Sequence, residues 1–218
     1  MLGFKEQEKL LRLIGDTLEK PMECYVVGGS AMLFYNFSKT ATKDIDAITF
    51  SEADMKTLLK TLRRIGFKTI TGSGTRPGTP ARLQFQDYIF DVFCRNLFKL
   101  RVSKAMKERS RERIEFGKLS VLVASPEDII LSKSMTDREG DRRDVCDIIK
   151  EINVDWDILF REVEWQSKNN PNIAFGVYLF DFLQELSHNF KADIPRDVIR
   201  KITRLYEKKL DELSEQRR

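Results

Sequence analysis

The chain changes character near residue 124, and this change limits its fold more than any other feature of the sequence. Before it, short apolar or alternating stretches predict strands at 24–27, 43–50, 68–71, 82–86, 88–93 and 119–124. Helical patterns accompany these strands at 4–19, 30–35 and 51–66. Every later stretch has helical spacing, at 126–136, 141–152, 155–166, 173–187 and 195–213. We therefore predict an α/β (α+β) core over residues 1–124, followed by an all-helical region over 125–218.

The composition is that of a folded, water-soluble protein. The 218 residues are 41% hydrophobic and 33% charged, and 15 Phe, 5 Tyr and 2 Trp require a core, which excludes disorder as the main state. No apolar run approaches the roughly 18 residues that a membrane span needs. The first residues also lack the apolar segment of a signal peptide. We expect a cytoplasmic protein with no membrane partner.

Cysteine and histidine offer little for catalysis or for metal binding. Cys24, Cys94 and Cys146 are widely spaced and form no CxxC pair, and His188 is the only histidine. A zinc site therefore has too few ligands. We interpret the cysteines as small buried side chains, and any reaction must use carboxylates, lysines or metals.

The positive charge is concentrated in residues 101–118, which we call the basic strip. It contains seven basic and three acidic residues, so the rest of the chain holds 31 of each and the strip carries the whole formal charge of +4. One interpretation is a solvated, partly helical connector. The other is a surface that attracts a polyanion such as RNA.

Two glycines follow the predicted strand at 24–27 directly. Gly28 and Gly29 allow the backbone to approach a ligand closely, and with Ser30 they begin a predicted helix whose N–H groups could bind a phosphate. A turn without a ligand explains the same glycines. Neither a P-loop motif nor the dinucleotide-binding glycine fingerprint is present.

Three aspartates on two predicted strands form the second candidate feature. Asp44 and Asp46 are two residues apart and therefore share one face of a strand, while Ile45 faces the core. Asp91 interrupts the otherwise apolar stretch 88–93, where an ionised carboxylate is costly without a partner. Oxygen ligands of this kind suit Mg²⁺, and three carboxylates could position a hydroxyl for attack on phosphorus.

The order of these features resembles the nucleotidyltransferase superfamily, which has the polymerase-beta-like fold. The segments from Gly28 to Leu33 and from Thr42 to Asp46 are most similar to nucleotidyltransferases of type IV toxin–antitoxin (abortive-infection) systems. The resemblance covers roughly residues 22–150 and implies a small mixed sheet. It also implies an enzyme that transfers a nucleoside monophosphate (NMP) from an NTP to an acceptor, and a cognate antitoxin-like protein as a partner.

The resemblance implies a role for each matching residue. Asp44, Asp46 and Asp91 would be the catalytic and metal-binding residues, with Mg²⁺ or Mn²⁺ as the cofactor and Asp91 as third ligand or base. The NTP-binding residues would be Gly28, Gly29, Ser30, Thr42, Lys133, Asp144 and Asp147.

The last of these residues belong to a helical motif that has alternative explanations. Lys133 lies among apolar positions and could either extend its ammonium to solvent or reach a nucleotide phosphate. Arg143 could pair with Asp147, four residues later on the same helix. Asp144 could belong to the site or to the scaffold.

Two hypotheses for function follow from the sequence. The first is a metal-dependent nucleotidyltransferase whose acceptor is an RNA 3′ end, a protein hydroxyl or a small molecule, with the basic strip favouring RNA. The alternative is a non-catalytic module of the same fold that binds nucleic acid or a protein partner. Thr40 favours the alternative, because relatives carry an arginine at this position, but Lys39 beside it could supply the same charge.

Overall fold

A computed structural model of the chain describes residues 1–35, 37–72, 76, 78–110 and 113–215. Arg111 of the basic strip lies outside these residues. The chain divides into two compact units, Met1–Ser125 and Pro126–Arg218. The first unit contains the strands together with four helices, and the second is helical throughout its described elements.

The strands of the first unit are short, as their flanking turn residues predict. They are β1 (Leu2–Gly3), β2 (Met22–Val27), β3 (Ala41–Thr42), β4 (Asp44–Thr49), β5 (Lys68–Thr71), β6 (Ala81–Phe85), β7 (Tyr88–Cys94), β8 (Asn96–Leu97), β9 (Leu100–Arg101), β10 (Arg113–Phe116) and β11 (Leu119–Val123). The helices of this unit are α1 (Phe4–Thr17), α2 (Gly28–Phe34), α3 (Glu52–Arg64) and α4 (Lys104–Glu108). Ser51 caps α3 by accepting a hydrogen bond from the backbone N–H of Asp54.

Seven of these strands form one mixed sheet in the order β10-β11-β2-β4-β7-β6-β5. β11 pairs with β2 and β4 pairs with β7 in parallel, and the other neighbours are antiparallel. The central strands supply the core, where Tyr25, Ile45 and Phe93 are fully buried. The predicted small mixed sheet is therefore confirmed.

The second unit consists of five described helices. They are α5 (Pro126–Ser134), α6 (Glu139–Glu151), α7 (Trp156–Asn169), α8 (Phe175–His188) and α9 (Arg196–Glu215). All nine residues of α5 are buried, because this helix contacts α6, α7 and α8. A helix enclosed in this way must bury its polar residues along with its apolar ones, and Asp128 and Lys133 are among them.

The predicted elements match the observed ones to within a few residues at each end. Sequence analysis missed five strands, of which β1, β3, β8 and β9 have only two residues each. The fifth, β10, lies in the basic strip, where a partly helical connector was one expectation. The short helix α4 confirms part of it, but residues 113–116 alternate Arg-Ile-Glu-Phe and pair with β11 as a strand. Among the described residues, no helix is both long and apolar enough to cross a membrane.

Candidate functional site

Pairing of β4 with β7 brings the three predicted aspartates together. The two strands are parallel, and Asp46 lies directly beside Asp91 in their register. Asp44 precedes Asp46 by two residues and therefore lies on the same face of β4, whereas Ile45 is fully buried on the other face. One carboxylate oxygen from each aspartate lies within 4.8 Å of the others. The structure thus assembles the predicted trio from two strands that are far apart in sequence.

Arg82 also belongs to this cluster, and sequence analysis did not predict it. Its Nε donates to Oδ1 of Asp91 at 2.8 Å and its Nη2 to Oδ2 at 2.5 Å, a bidentate pair. Nη2 also lies 3.8 Å from Oδ2 of Asp44. The hydrogen bonds to Asp91 raise the pKa of Arg82 further above its usual range, and the charges of the aspartates add to the effect.

A signal for Arg82 existed in the sequence. The predicted strands at 82–86 and 88–93 are separated by one residue, so a tight turn must join them, and Gln86 has a positive φ at this turn. A short hairpin places Phe85 opposite Tyr88, and the same register then places Arg82 opposite Asp91. The aspartate that required a partner was therefore matched by a cation on the adjacent strand.

The exposure of these side chains defines the open face of the cluster. The side chain of Asp91 is 4% exposed, that of Asp44 is 25% exposed and that of Arg82 is 39% exposed. Solvent therefore reaches the site from the side of Asp44 and Arg82. Asp91 lies at the base of the cluster.

The glycine pair lies against the same aspartates. Gly28 has a φ of +65°, and a Cβ at this position would lie 2.8 Å from Oδ2 of Asp46. A Cβ on Gly29 would lie 2.6 Å from Oγ1 of Thr42 and 2.9 Å from Cε of Lys39. A side chain at Gly28 would be strained by the positive φ and would displace the Asp46 carboxylate, and one at Gly29 would require Thr42 and Lys39 to shift. The predicted residues Gly28, Gly29, Thr42 and Asp46 therefore meet in one place.

Two further polar residues, Lys39 and Ser30, lie at the glycine turn. Lys39 lies beside Gly29, so a basic side chain is present at the glycine turn. Ser30 is fully buried, and its hydroxyl donates to the backbone oxygen of Val27 at 3.1 Å. The hydroxyl of Ser30 thus already has a partner within the turn.

Lys133, Asp144 and Asp147 lie in the helical unit. Nζ of Lys133 donates to Asp141 and to Asp144, each at 2.6 Å, and the lysine side chain is only 6% exposed. Of the two alternatives for Lys133, extension of its ammonium to solvent is therefore wrong, because every residue of α5 is buried. Asp147 is half-buried on α6.

Asp141 completes this second cluster and was also not predicted. It accepts a hydrogen bond from Oγ1 of Thr136. Its Oδ2 also forms an ion pair with Nε of Arg138 at 3.1 Å. Burial alone would raise the pKa of Asp141, but the charge and hydrogen bond of Lys133 outweigh burial and the pKa is lowered. Arg143 pairs with Glu139 at 2.6 Å, not with Asp147 as predicted. Both acidic residues are four positions from Arg143, so helix spacing alone could not choose between them.

Several described cations of the basic strip have partners within the protein. Lys104 pairs with Glu108 at 3.2 Å, and Nζ of Lys107 lies 3.3 Å from the centre of the Phe50 ring. Arg113 pairs with Glu23 at 3.4 Å and also with Glu115. On α4 and β10, these described cations therefore make local ion pairs and a cation–π contact. Its binding of RNA stays a prediction.

Comparison with known families agrees with this architecture. Residues 4–172 match the family described as nucleotidyltransferase of unknown function (DUF6036). The chain belongs to this nucleotidyltransferase family. A search of curated protein sequences finds no match.

Solved structures of similar chains were also found. The antibiotic-resistance factor ANT(2″)-Ia, determined in solution, is 12% identical, with 98% of this chain and 97% of that chain covered and a TM-score of 0.47. JHP933 from Helicobacter pylori is 14% identical, with 98% and 100% covered and a TM-score of 0.42.

Proposed function

We propose that the protein is a divalent-metal-dependent nucleotidyltransferase that transfers an NMP group from an NTP to an acceptor hydroxyl. The observation that carries this proposal is the convergence of Asp44, Asp46 and Asp91 within 4.8 Å beside the Gly28–Gly29 turn. Membership in the nucleotidyltransferase family supports the same class of reaction.

The aspartate cluster fits a divalent cation of the Mg²⁺ or Mn²⁺ type. Its donors are carboxylate oxygens, which are hard ligands suited to both ions. Gly28 has no Cβ, which would otherwise lie 2.8 Å from Oδ2 of Asp46 and crowd this oxygen. Asp44, Asp46 and Asp91 would hold the ion, which would supply positive charge to polarise phosphate oxygens.

The reaction itself is a simple displacement. The acceptor oxygen bonds to the α-phosphorus of the NTP, the bond from that phosphorus to the bridging oxygen breaks, and pyrophosphate leaves. The acceptor hydroxyl loses its proton. Positioning and charge neutralisation do most of the catalytic work in such transfers, so the protein must hold the triphosphate and the acceptor in line.

Two elements of the α/β unit would position the triphosphate. The Gly28–Gly29 turn allows phosphate oxygens to approach backbone N–H groups, and Lys39 lies against the same turn. Thr42 is buried beside Gly29 and would hold the turn in place. Asp91 could serve as the base, and each of its oxygens already accepts one hydrogen bond from Arg82.

Nucleotide binding by Ser30, Lys133, Asp144 and Asp147 is also part of the proposal. The hydroxyl of Ser30 and the ammonium of Lys133 already have partners. Their direct participation therefore requires exchange of those partners for nucleotide oxygens.

The acceptor that we propose is an RNA 3′ end or a protein hydroxyl. The basic strip favours RNA because it carries the entire excess charge of the chain. The resemblance to toxin–antitoxin nucleotidyltransferases further suggests that the protein acts as one component of such a system, with an antitoxin-like protein as its partner.

One observation favours the second candidate, a non-catalytic module that binds nucleic acid or protein. Arg82 neutralises the most buried aspartate of the cluster, as it would in a protein that has no need of metal. Such a module would show no response to Mg²⁺ and no transfer.

The test combines transfer with ligand-dependent stability. Wild type and Asp44→Asn are incubated with α-labelled NTPs, total RNA or protein, and Mg²⁺ or Mn²⁺. Label transfer by wild type that is lost in the variant, together with a rise in Tm on adding Mg²⁺ and NTP to wild type alone, supports the proposal. Absence of both responses in wild type contradicts it and favours the non-catalytic module.

A further inference from the structure

Arg82 is a cation built into a cluster that is otherwise suited to bind a metal ion. Its guanidinium occupies both oxygens of Asp91 and lies 3.8 Å from Asp44, which is also a metal-ligand candidate. Asp91 is held between β4 and β6, beside Asp46 on one strand and opposite Arg82 on the other. The position of the arginine thus follows from strand register, which makes it a fixed feature of the fold.

The charges explain why a cation is needed here when no metal is bound. The Asp91 side chain is 4% exposed, and a buried carboxylate without a partner is strongly destabilising. Three carboxylates and one guanidinium together carry two negative charges, which equals the charge that one divalent ion would neutralise. Arg82 therefore stabilises Asp91 and leaves the rest of the cluster negative.

The two residues of the ion pair, Arg82 and Asp91, differ in how far their side chains can move. Asp91 lies on a central strand at the base of the site, whereas the Arg82 side chain is 39% exposed and belongs to the strand next to the sheet edge. An arginine with that exposure can move toward solvent without opening the core. Asp91 cannot move in the same way.

We infer that Arg82 is the resident counter-ion of the aspartate cluster and that a divalent metal binds to Asp91 in competition with it. This inference rests on the proposed function, because it concerns the same metal site. The arginine stabilises the metal-free protein and lowers its affinity for free metal ions. Arg82 is a positioning residue in this role, since it acts on Asp91.

Metal affinity of Arg82 variants gives the first test. Free Mn²⁺ is titrated into wild type, Arg82→Gln and Arg82→Lys, and bound ion is measured by electron paramagnetic resonance. We expect both variants to bind Mn²⁺ about tenfold or more tightly, because competition for the Asp91 oxygens is lost. Arg82→Lys separates competition from charge, since it keeps the positive charge but lacks the bidentate fork.

A matched control and a second readout complete this test. Lys68→Gln removes one positive charge from β5, outside the cluster, and should leave Mn²⁺ affinity unchanged. The metal-free Tm of Arg82→Gln should fall, and the rise in Tm on adding Mn²⁺ should exceed that of wild type. Unchanged Mn²⁺ affinity in both Arg82 variants would overturn the inference.

A direct measurement on wild type avoids any dependence on the folding of a variant. The Nε–H of Arg82, assigned by its loss in Arg82→Lys, is followed by nitrogen–proton NMR as Mg²⁺ is added. We expect its resonance to shift and its hydrogen exchange to quicken as Asp91 is released. A resonance that stays fixed while Mg²⁺ binds overturns the inference but leaves the metal site intact. Failure of wild type and of both variants to bind any Mn²⁺ or Mg²⁺ would contradict the proposed function itself.

Discussion

The aspartate cluster of the α/β unit and the Lys133 cluster of the helical unit both combine carboxylates with basic side chains, but they differ in net charge. In the first, Arg82 faces three carboxylates, and the cluster is open to solvent at Asp44. In the second, Lys133 and Arg138 face Asp141 and Asp144, and Lys133 is almost fully buried. An excess of carboxylate that solvent can reach suits a metal ion. A charge-balanced set of ion pairs around a buried lysine stabilises the fold, and nucleotide binding there would require an exchange of these partners.

The largest effect that we predict tests the open cluster. Asp46→Asn should reduce NMP transfer about a thousandfold or more, because it removes a ligand charge next to the glycine turn. The metal-free Tm should stay the same or rise, because the variant relieves carboxylate repulsion. Transfer assays with labelled NTP and thermal denaturation check both parts. Transfer at the wild-type rate would show that the cluster is not the catalytic site.

The enclosed cluster should respond in stability. Lys133→Ala leaves Asp141 and Asp144 buried near each other without their shared cation, and we expect the free energy of unfolding to fall by about 3–5 kcal/mol. Denaturant unfolding measures the change. Lys150→Ala, on an exposed position of α6, is the matched control.

The same variant also tests nucleotide binding at Lys133. At a temperature where Lys133→Ala is folded, calorimetry with Mg²⁺ and NTP gives its affinity. A purely structural lysine predicts wild-type affinity, whereas a large loss of affinity would place the helical cluster in the nucleotide site and erase the contrast between the two clusters.

A third prediction concerns the glycine turn. Gly28→Ala introduces a Cβ 2.8 Å from Oδ2 of Asp46 at a residue whose φ is +65°. We expect a loss of stability of about 1–2 kcal/mol and weaker metal binding, because Asp46 must shift. Gly140→Ala meets no atom within 4 Å on α6 and is the control. Unaltered Mn²⁺ affinity in Gly28→Ala would separate the turn from the metal site.

The smallest effect should appear as a pH dependence of the enclosed cluster. The pKa of Asp141 is lowered in the folded protein, so its contribution to stability is present above the unfolded pKa of about 3.9 and is lost as the pH falls through the lower folded value. The difference in unfolding free energy between wild type and Asp141→Asn should therefore shrink as the pH drops below about 4. A difference in unfolding free energy that does not change with pH would show that the pKa of Asp141 is not lowered in the folded protein.

Sequence patterns predicted the elements of this fold well because apolar spacing is strong in both units. They also predicted the three aspartates, since alternation assigns Asp44 and Asp46 to one face and Asp91 is isolated in an apolar strand. Arg82 and Asp141 were missed because their roles depend on which strand or helix lies beside them. The burial of Lys133 was missed for the same reason, since only the packing of α6, α7 and α8 around α5 determines it.

The strand β10 has a consequence for how the protein behaves at high concentration. It ends the order of the seven-stranded sheet, so one side of its backbone can pair with a strand from another molecule and begin aggregation. Arg113 and Glu115 are exposed charges on this strand, and charged side chains on an edge strand hinder such pairing. These two charges of the basic strip therefore disfavour strand pairing between molecules at this edge of the sheet, whatever the strip binds. Charge-reversal variants that probe RNA binding should change Lys104 and Lys107 and keep Arg113, so that a loss of solubility is not mistaken for a loss of affinity.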